Sequence, residues 1–437
     1  MTYDRYSDYR VDGRISASRQ ATEAGDVPVL GLNKRIPSAL LEGGELNFSL
    51  QFDPAVFTTD PTGCLTYSGD AAGSIPISNL NNDLEIGSFD FKTNPLTRDC
   101  FYATIAGNGD ILSVLDPYDL SKDTVGNDVS QEIQDENVMF IIPTRYSKRN
   151  ANGISISTDP KNGTAYAHTF NGHVYKYLAL GVYEGAIVSG KLKSSSGKEP
   201  TTNTTRPNFR TAAQANGTGW HLVNWHEWQL YRDTVLFGLK SFDSQRRLGQ
   251  GNSRGNSTTP TVTLSSGMLD AAGPYAGMVG TDDLNTTSPV KFLIENPWSN
   301  RWMFLDDFVV SQGYEESGAY LADVYAGQAL TPTDLTTDKV KIGSVPLQNI
   351  TASHNNWCTQ IQTDEAGWGL WNNWSGSDST GLCDKHWANG TPPDLRLGLV
   401  GGSSYDGSYC GLSALYLGNA LGHSAWLTGA RLAFAFD

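Results

Sequence analysis

Apolar and polar residues alternate over residues 46–52 (LNFSLQF), which predicts a strand with one buried face. Residues 138–142 (VMFII) are an unbroken apolar run of strand length and predict a buried strand. Residues 153–157 and 165–168 flank Asp159, Pro160, Lys161, Asn162 and Gly163, a turn-forming stretch, and predict a hairpin. Residues 176–183 (KYLALGVY) predict a further strand. The period then changes. Pro207 suits a first helical turn, and residues 209–215 continue it until Asn216 and Gly217 stop it. Trp225, Trp228, Tyr231, Val235, Leu239 and Phe242 recur at three- and four-residue steps, predicting an amphipathic helix to about Asp243. Alternation returns at Leu395, Leu397 and Leu399, at Leu415 and Leu417, and at Ala430, Leu432, Phe434 and Phe436. These predict three short strands whose apolar faces share a core.

Tryptophan usage divides the chain. All 11 Trp lie at or after Trp220, so two parts of different fold are expected: a β-rich assembly domain over 1–165 and a second domain over 166–437. A length of 437 residues accommodates both, at ~100–200 residues per domain or more. Residues 1–25 are polar and read as an arm that orders on assembly. Thirty-one Lys and Arg against 46 Asp and Glu leave a net charge of −15. Such a surface repels phosphate backbones, so no nucleic-acid partner is expected. No apolar run reaches the ~18 residues of a membrane span, and the N-terminus lacks an apolar export core. Synthesis in a cytoplasm is therefore expected. Five cysteines without CxxC spacing read as free thiols.

The candidate chemistry is sparse. His221 and His226 are five apart and would diverge on a helix, so they make a poor metal pair. The glycine-rich stretch 249–255 follows a helix instead of a strand, so it reads as a loop packed on the domain and not as a dinucleotide loop. The acidic pairs Asp282/Asp283 and Asp306/Asp307 read as solvated surface charge. No nucleophile elbow or Cys–His signature occurs. No catalytic residue, metal or cofactor is expected.

Between the last three strands lie segments 403–410 and 418–428, rich in Gly, Ser, Ala and Tyr. Within 401–434 the only Asp, Glu, Lys or Arg are Asp406 and Arg431. Tyr405, Tyr409, Tyr416, His423 and Trp426 punctuate this background. Tyrosines set among small residues are the chemistry of antibody paratopes.

The residues GLWNNWSGSDSTGLCDKHWANG (369–390) and LRLGLVGGSSYDGSYCGLSALYLGNALGHSAWLTGARLAF (395–434) resemble the variable proteins of diversity-generating retroelements. Those endings carry a GGSW-like turn, a short strand, an Asn/Ser-rich segment and a final IGARL. Residues 401–404, 410–418, 419–427 and 428–432 stand in those places. Upstream, ENPWSNRW (295–302), residues 189–210, 242–245 and 249–251 resemble further family segments. The resemblance covers roughly 170–437, with Ser404 in place of the usual Trp and Ser299 in place of a Gly. It implies an α+β fold in which a C-type-lectin-type (formylglycine-generating-enzyme-like) domain follows the β-rich part, with a variable region at about 394–437. The implied variable, ligand-binding positions are Ser404, Tyr405, Asp406, Tyr409, Tyr416, Gly418, Asn419, His423, Ala425 and Leu427. Leu415, Leu417, Trp426 and Arg431 are implied to be scaffold. The resemblance further implies non-catalytic adhesion by a phage tail protein, with an enzyme of the formylglycine-generating type or a purely structural virion protein as the alternatives. Its partners would be a bacterial surface receptor (protein or glycan) and other virion tail proteins, with a homotrimer as the first-guess assembly.

Overall fold

The computed structural model describes residues 46–253, 263–279, 288–349, 353–391 and 395–437, with two-residue strand pairs at 10–11/14–15 and 29–30/34–35 before them. Apart from the first of those pairs, the polar arm expected over 1–25 lies outside the described residues, as do Asp282, Asp283 and Asp394. Strand outweighs helix, 34% to 14%, so the chain is mostly β.

Three sheets carry the fold. A four-stranded antiparallel sheet runs in the order Tyr146–Asn150, Gly153–Ser157, Asn47–Phe52, Leu65–Gly69. The alternation at 46–52 does what it predicts there, with Phe48, Leu50 and Phe52 buried. The expected hairpin differs. Strand 153–157 pairs back onto Tyr146–Asn150, while residues 166–168 form a 3₁₀ turn. Pro160 and an Asp159 carboxylate that accepts from Lys161 N fold the intervening stretch onto itself, not into a strand connection.

The second sheet has seven strands, in the order Trp220–Leu222, Leu432–Phe436, Tyr177–Gly181, Asn137–Pro143, Phe101–Ile105, Ile111–Asp116, Asp119–Asp123. Ile141 sits opposite Ala179, and Ala179 opposite Phe434. The sheet therefore runs through the expected boundary at 165/166, and one core spans Leu46 to Ala433. Tryptophan usage marks local composition here, not an independent core.

The third sheet has nine strands. Trp302–Val310 pairs with Arg396–Val400, which pairs with Leu415–Ala420, which pairs in parallel with His386–Asn389. Of the three short C-terminal strands, only the first two lie in this sheet. The third completes the seven-stranded one. A second core joins the two sheets, holding Leu397 and Leu399 beside Trp220, Leu432 and Phe434.

Two helices fill the space between them. Arg206–Gln214 begins with Pro207 in its first turn. The longer helix, Trp225–Leu239, opens with a capping box in which Asn224 and Glu227 satisfy each other's backbone N–H groups. It ends at Lys240, which adopts a left-handed conformation. The expected apolar face is buried, but so is every other residue of this helix. Its polar side chains have internal partners. Arg149 Nε meets Asp233 Oδ2 at 2.7 Å, and Arg232 Nη2 donates to Trp368 O at 2.6 Å. Tyr67 from the four-stranded sheet donates to Phe237 O at 2.6 Å. The helix is an axle joined to all sides, and it has no solvent face.

Asp306 and Asp307 are likewise buried, not solvated as expected. Arg210 holds Asp306, and Lys339 Nζ lies 3.0 Å from Asp307 Oδ1. The deepest polar knot is Arg431. Its Nη1 donates to Gly181 O and Val182 O, both at 2.9 Å, and its Nη2 to Glu295 O at 2.7 Å and Asn296 O at 3.1 Å. Glu184 lies near enough to feel the Arg431 charge and accepts from Asn300 Nδ2. Burial pushes the Glu184 carboxyl up to about 7, against the opposing pull of Arg431.

Two measurements follow from this packing. Leu239→Ala removes a fully buried side chain and is expected to cost about 2–5 kcal/mol in equilibrium urea unfolding; a loss under ~0.5 kcal/mol would mean that the face is not packed. Glu184 holds its proton in the folded chain up to about 7 but loses it near 4.5 when unfolded. Its contribution is therefore fully present below 4.5 and disappears as pH rises through 7. Unfolding midpoints at about pH 5 and about pH 8 are expected to show a smaller drop in Glu184→Gln than in the parent chain. An unchanged drop would assign that pH dependence elsewhere.

Candidate functional site

The segment ENPWSNRW is the hinge on which the C-terminal loops hang. Trp298 is fully buried, and its Nε1 donates to Gly249 O at 3.0 Å. Ser299 and Asn300 follow with φ of 64° and 53°. Both are in the left-handed region that glycine enters most freely. The Gly that Ser299 replaces in the resemblance would sit there without strain. From this bend Ser299 N donates to Gly401 O at 3.0 Å, and Ser404 N donates to Asn300 O at 3.1 Å. Gly402 is required by contact, since a Cβ there would meet Cys410 Sγ at 2.4 Å.

The loop 403–410 is held largely by backbone and from below. Gln245 Nε2 donates to Gly407 O at 3.2 Å and to Cys410 O at 2.5 Å. Gly407 N donates to Ser253 O at 2.6 Å, and Lys385 N to Tyr409 O at 3.1 Å. Asp406 closes the loop by accepting from Ser403 N at 2.9 Å and Ser403 Oγ at 2.5 Å. Burial raises its carboxyl pKa, against the hydrogen bonds from Ser403 and the Trp302 side chain. The second loop returns by Thr428, which pairs in parallel with Trp302. Leu427 O accepts from Trp302 N at 2.9 Å.

Over this backbone the rings form a row. Tyr409 meets Trp387 at 6.0 Å between centroids, Trp387 stacks on Tyr416 at 5.6 Å, and Tyr416 meets Trp302 edge-on at 5.8 Å. Phe304, two residues beyond Trp302 and on the same side of its strand, meets His423 at 6.4 Å. Trp387, Tyr416 and Leu427 are all half-buried against the same core. Tyr409, Tyr416 and His423 thus come from both loops and the strand between them to one side of the nine-stranded sheet. Asp406 joins them through Trp302.

Lys385 lies inside this row. Its Nζ is 3.6 Å from the Tyr409 ring centroid, 4.8 Å from Trp357 and 5.7 Å from Trp387. Three rings around one ammonium make a cation–π box. Trp302, Trp357, Lys385 and Trp387 all precede the segment 394–437 that is expected to vary. Trp302 ends the family-like segment 295–302, and Lys385 and Trp387 lie in the one at 369–390, whereas Trp357 falls in neither.

The remaining expected positions are placed as follows. Tyr405 is 37% exposed and projects beside Asp406, with its backbone N on Ser403 Oγ at 3.4 Å. Asn419 and Ala425 are half-buried, and Asn203 N donates to Ala425 O at 3.0 Å. Gly418 is half-buried, and a Cβ there would meet the Tyr416 ring at 2.7 Å. Ser404 is fully buried and has no access to a ligand, because its backbone is the link to the Asn300 bend. Trp426, expected as scaffold, is 40% exposed, at the tip of a loop whose backbone turns it away from the core. Leu415, Leu417 and Arg431 are buried. Burial lowers the His423 pKa, so its imidazole is biased to the neutral form, with Nε2 3.2 Å from Thr428 Oγ1.

All five cysteines are buried and free. Cys410 Sγ donates to Ser403 O at 3.1 Å, and burial raises its pKa well above the ordinary thiol value. That environment holds the neutral thiol, the poorer nucleophile. Among the described residues no group of three or more His, Cys, Asp or Glu is arranged to hold a metal ion.

Neither a scan against protein-family models nor a search of curated proteins finds a match for the chain.

The row makes the tyrosines unequal. Tyr405→Ser is expected to leave thermal stability within about 0.5 kcal/mol. Tyr409→Ser uncovers Lys385 and is expected to cost about 1–2 kcal/mol. Equal losses in thermal melts of the two variants would show that the Tyr409 ring does not hold the ammonium.

Proposed function

We propose that this chain is a non-catalytic receptor-binding protein, a variable protein of a diversity-generating retroelement carried on a phage tail. In this reading its C-type-lectin-type domain, roughly residues 170–437, grips a receptor on a bacterial surface, protein or glycan. The observation that supports it best is the division of labour along 415–419. Leu415 and Leu417 are buried, whereas Tyr416 and Gly418, on the other face of the strand, are half-buried. The implied variable positions alternate with the implied fixed ones at the period of the strand. Large, stiff aromatic side chains on a backbone held from elsewhere suit a face that recognises ligand by shape and ring contact. Binding through Tyr405, Tyr409, Tyr416 and the exposed edges of Trp357 and Trp387 needs no metal or cofactor. Mounting on a tail beside other virion proteins, with a trimer as the first assignment, would multiply weak single contacts by avidity. The buried, neutral Cys410 favours this reading over thiol chemistry of the formylglycine-generating type.

The neighbouring DNA tests the genetic part. A reverse-transcriptase gene should lie beside this one, with a near-copy of the 3′ end differing at adenines. Substitutions between copies should fall at codons such as 405, 409, 416 and 423 and spare 415, 417 and 431. Adsorption tests the physical part. Purified Tyr405→Ser and Tyr416→Ser proteins that keep the parent melting curve are expected to lose at least about tenfold in binding to host cells, since a few aromatic anchors dominate such interfaces. Unchanged adsorption by both would leave the proposed face without a role.

A further inference from the structure

The ammonium of Lys385 is surrounded by rings yet has no acceptor. Its backbone is fixed from both sides, with Lys385 N donating to Tyr409 O at 3.1 Å and Lys385 O accepting from Leu415 N at 3.4 Å. Its side chain lies among Tyr409, Trp357 and Trp387, and only 7% of the residue is exposed. Among the described residues, Nζ makes no hydrogen bond and no ion pair. Buried ammonium groups elsewhere in the chain are matched. Lys291 Nζ donates to Leu269 O at 2.9 Å, and Lys339 Nζ donates to Thr333 O at 2.8 Å and lies 3.0 Å from Asp307 Oδ1. Rings attract the Lys385 charge through their faces, but its three N–H donors still lack an oxygen, and a charge so covered is costly until one arrives. Asp406 does not supply it. That carboxylate feels the Lys385 charge but is taken up by Ser403 N, Ser403 Oγ and the Trp302 side chain. Around the unmatched cation, half-buried Tyr409, Trp387 and Tyr416 form an apolar platform. The loop backbone beside it is already bonded within the chain, at Gly407 N, Gly407 O, Tyr409 O and Cys410 O. A peptide strand could not pair with those groups, whereas the C–H face of a pyranose needs only flat rings.

We infer that the group recognised on this face is an acidic sugar, a pyranose whose carboxylate meets the Lys385 ammonium and whose C–H face lies against the rings of Tyr409 and Trp387. A charge-assisted hydrogen bond at one end and ring contact along the other fix its orientation. The inference rests on the adhesive reading of this face and names the class of ligand that the face takes.

Methyl β-glucuronide and methyl β-glucoside carry a carboxylate and a hydroxymethyl group at the same carbon, and both can be titrated into the full chain by protein NMR. The glucuronide is expected to bind at least about tenfold more tightly. Lys385→Met keeps the apolar stem and is expected to lose that advantage. Lys122→Gln, the same change of charge on an exposed side chain at the edge of the seven-stranded sheet, is expected to keep it. The two sugars are compared on the parent chain as well, so an unstable Lys385→Met protein does not spoil the test. Equal binding of the two sugars, no glucuronide binding up to about 50 mM, or an advantage retained by Lys385→Met would overturn the assignment. N-acetylglutamate amide binding as tightly as the glucuronide would overturn the sugar and point to acidic groups on a protein. On host cells, Lys385→Met is expected to lose at least about tenfold in adsorption. Full adsorption by Lys385→Met beside losses by Tyr405→Ser and Tyr416→Ser would overturn this inference alone. Unchanged adsorption by all three would overturn the adhesive reading, and the inference with it.

Discussion

The guanidinium of Arg431 is the point on which the two large sheets depend. It meets four backbone carbonyls, two from the end of strand 177–181 and two from the turn before Trp298. Val182 O also accepts from Glu295 N at 2.8 Å, but removing Arg431 would take a buried charged donor from all four carbonyls, a costly loss in a core. Lysine is a poor replacement, because a point charge on three donors cannot span this planar arrangement. The contact fixes where strand 432–436 enters the seven-stranded sheet. It also fixes the Asn296–Asn300 turn from which the loop 403–410 is suspended. The sheet and the loop 403–410 are thus both set by one side chain.

The loops inherit their shape from residues outside themselves. Gln245, Ser253, Asn300 and Lys385 all hold backbone atoms of 403–410. A backbone held in this way does not need the side chains at 405 and 409 to keep its course. Independence has limits, however. A side chain at 418 would occupy the space of the Tyr416 ring, so 418 can gain one only if the ring at 416 moves or is lost. Tyr409 covers Lys385, so a small residue there exchanges an aromatic surface for a cation. Substitutions on this face are therefore coupled, and Trp302, Trp357 and Trp387 form its floor.

Periodicity was a good guide where a residue's surroundings are local. The strands at 47–52, 137–143 and 177–181 and both main helices lie close to where the patterns put them. It failed where burial depends on distant partners. The long helix shows a 3.6-residue stripe, yet Asp233 and Arg232 on its other side are buried too, matched by Arg149 and by the carbonyl of Trp368. No window around residue 233 contains residue 149. Asp306 and Asp307 were misread for the same reason, their cations coming from Arg210 and Lys339. The split at 165/166 followed tryptophan usage, which says nothing of which strands pair. At the site, the tyrosines were legible as chemistry, but their floor was not, because Trp302 and Trp357 sit some 50–125 positions upstream of the loop residues they support.

The placement of residues 432–436 has one more consequence. They follow the loop segment in sequence, yet they form an interior strand between 177–181 and 220–222. A chain read in the wrong frame anywhere in 401–431 would present different residues where Leu432, Phe434 and Phe436 must fill the core. Its sheet would stop at strand 177–181, with an open edge and no Arg431. Such an edge invites pairing with other chains and marks a chain as defective. The fold thereby checks the integrity of the message across 401–431: only chains translated in register through the loops can close the sheet that lies beneath them.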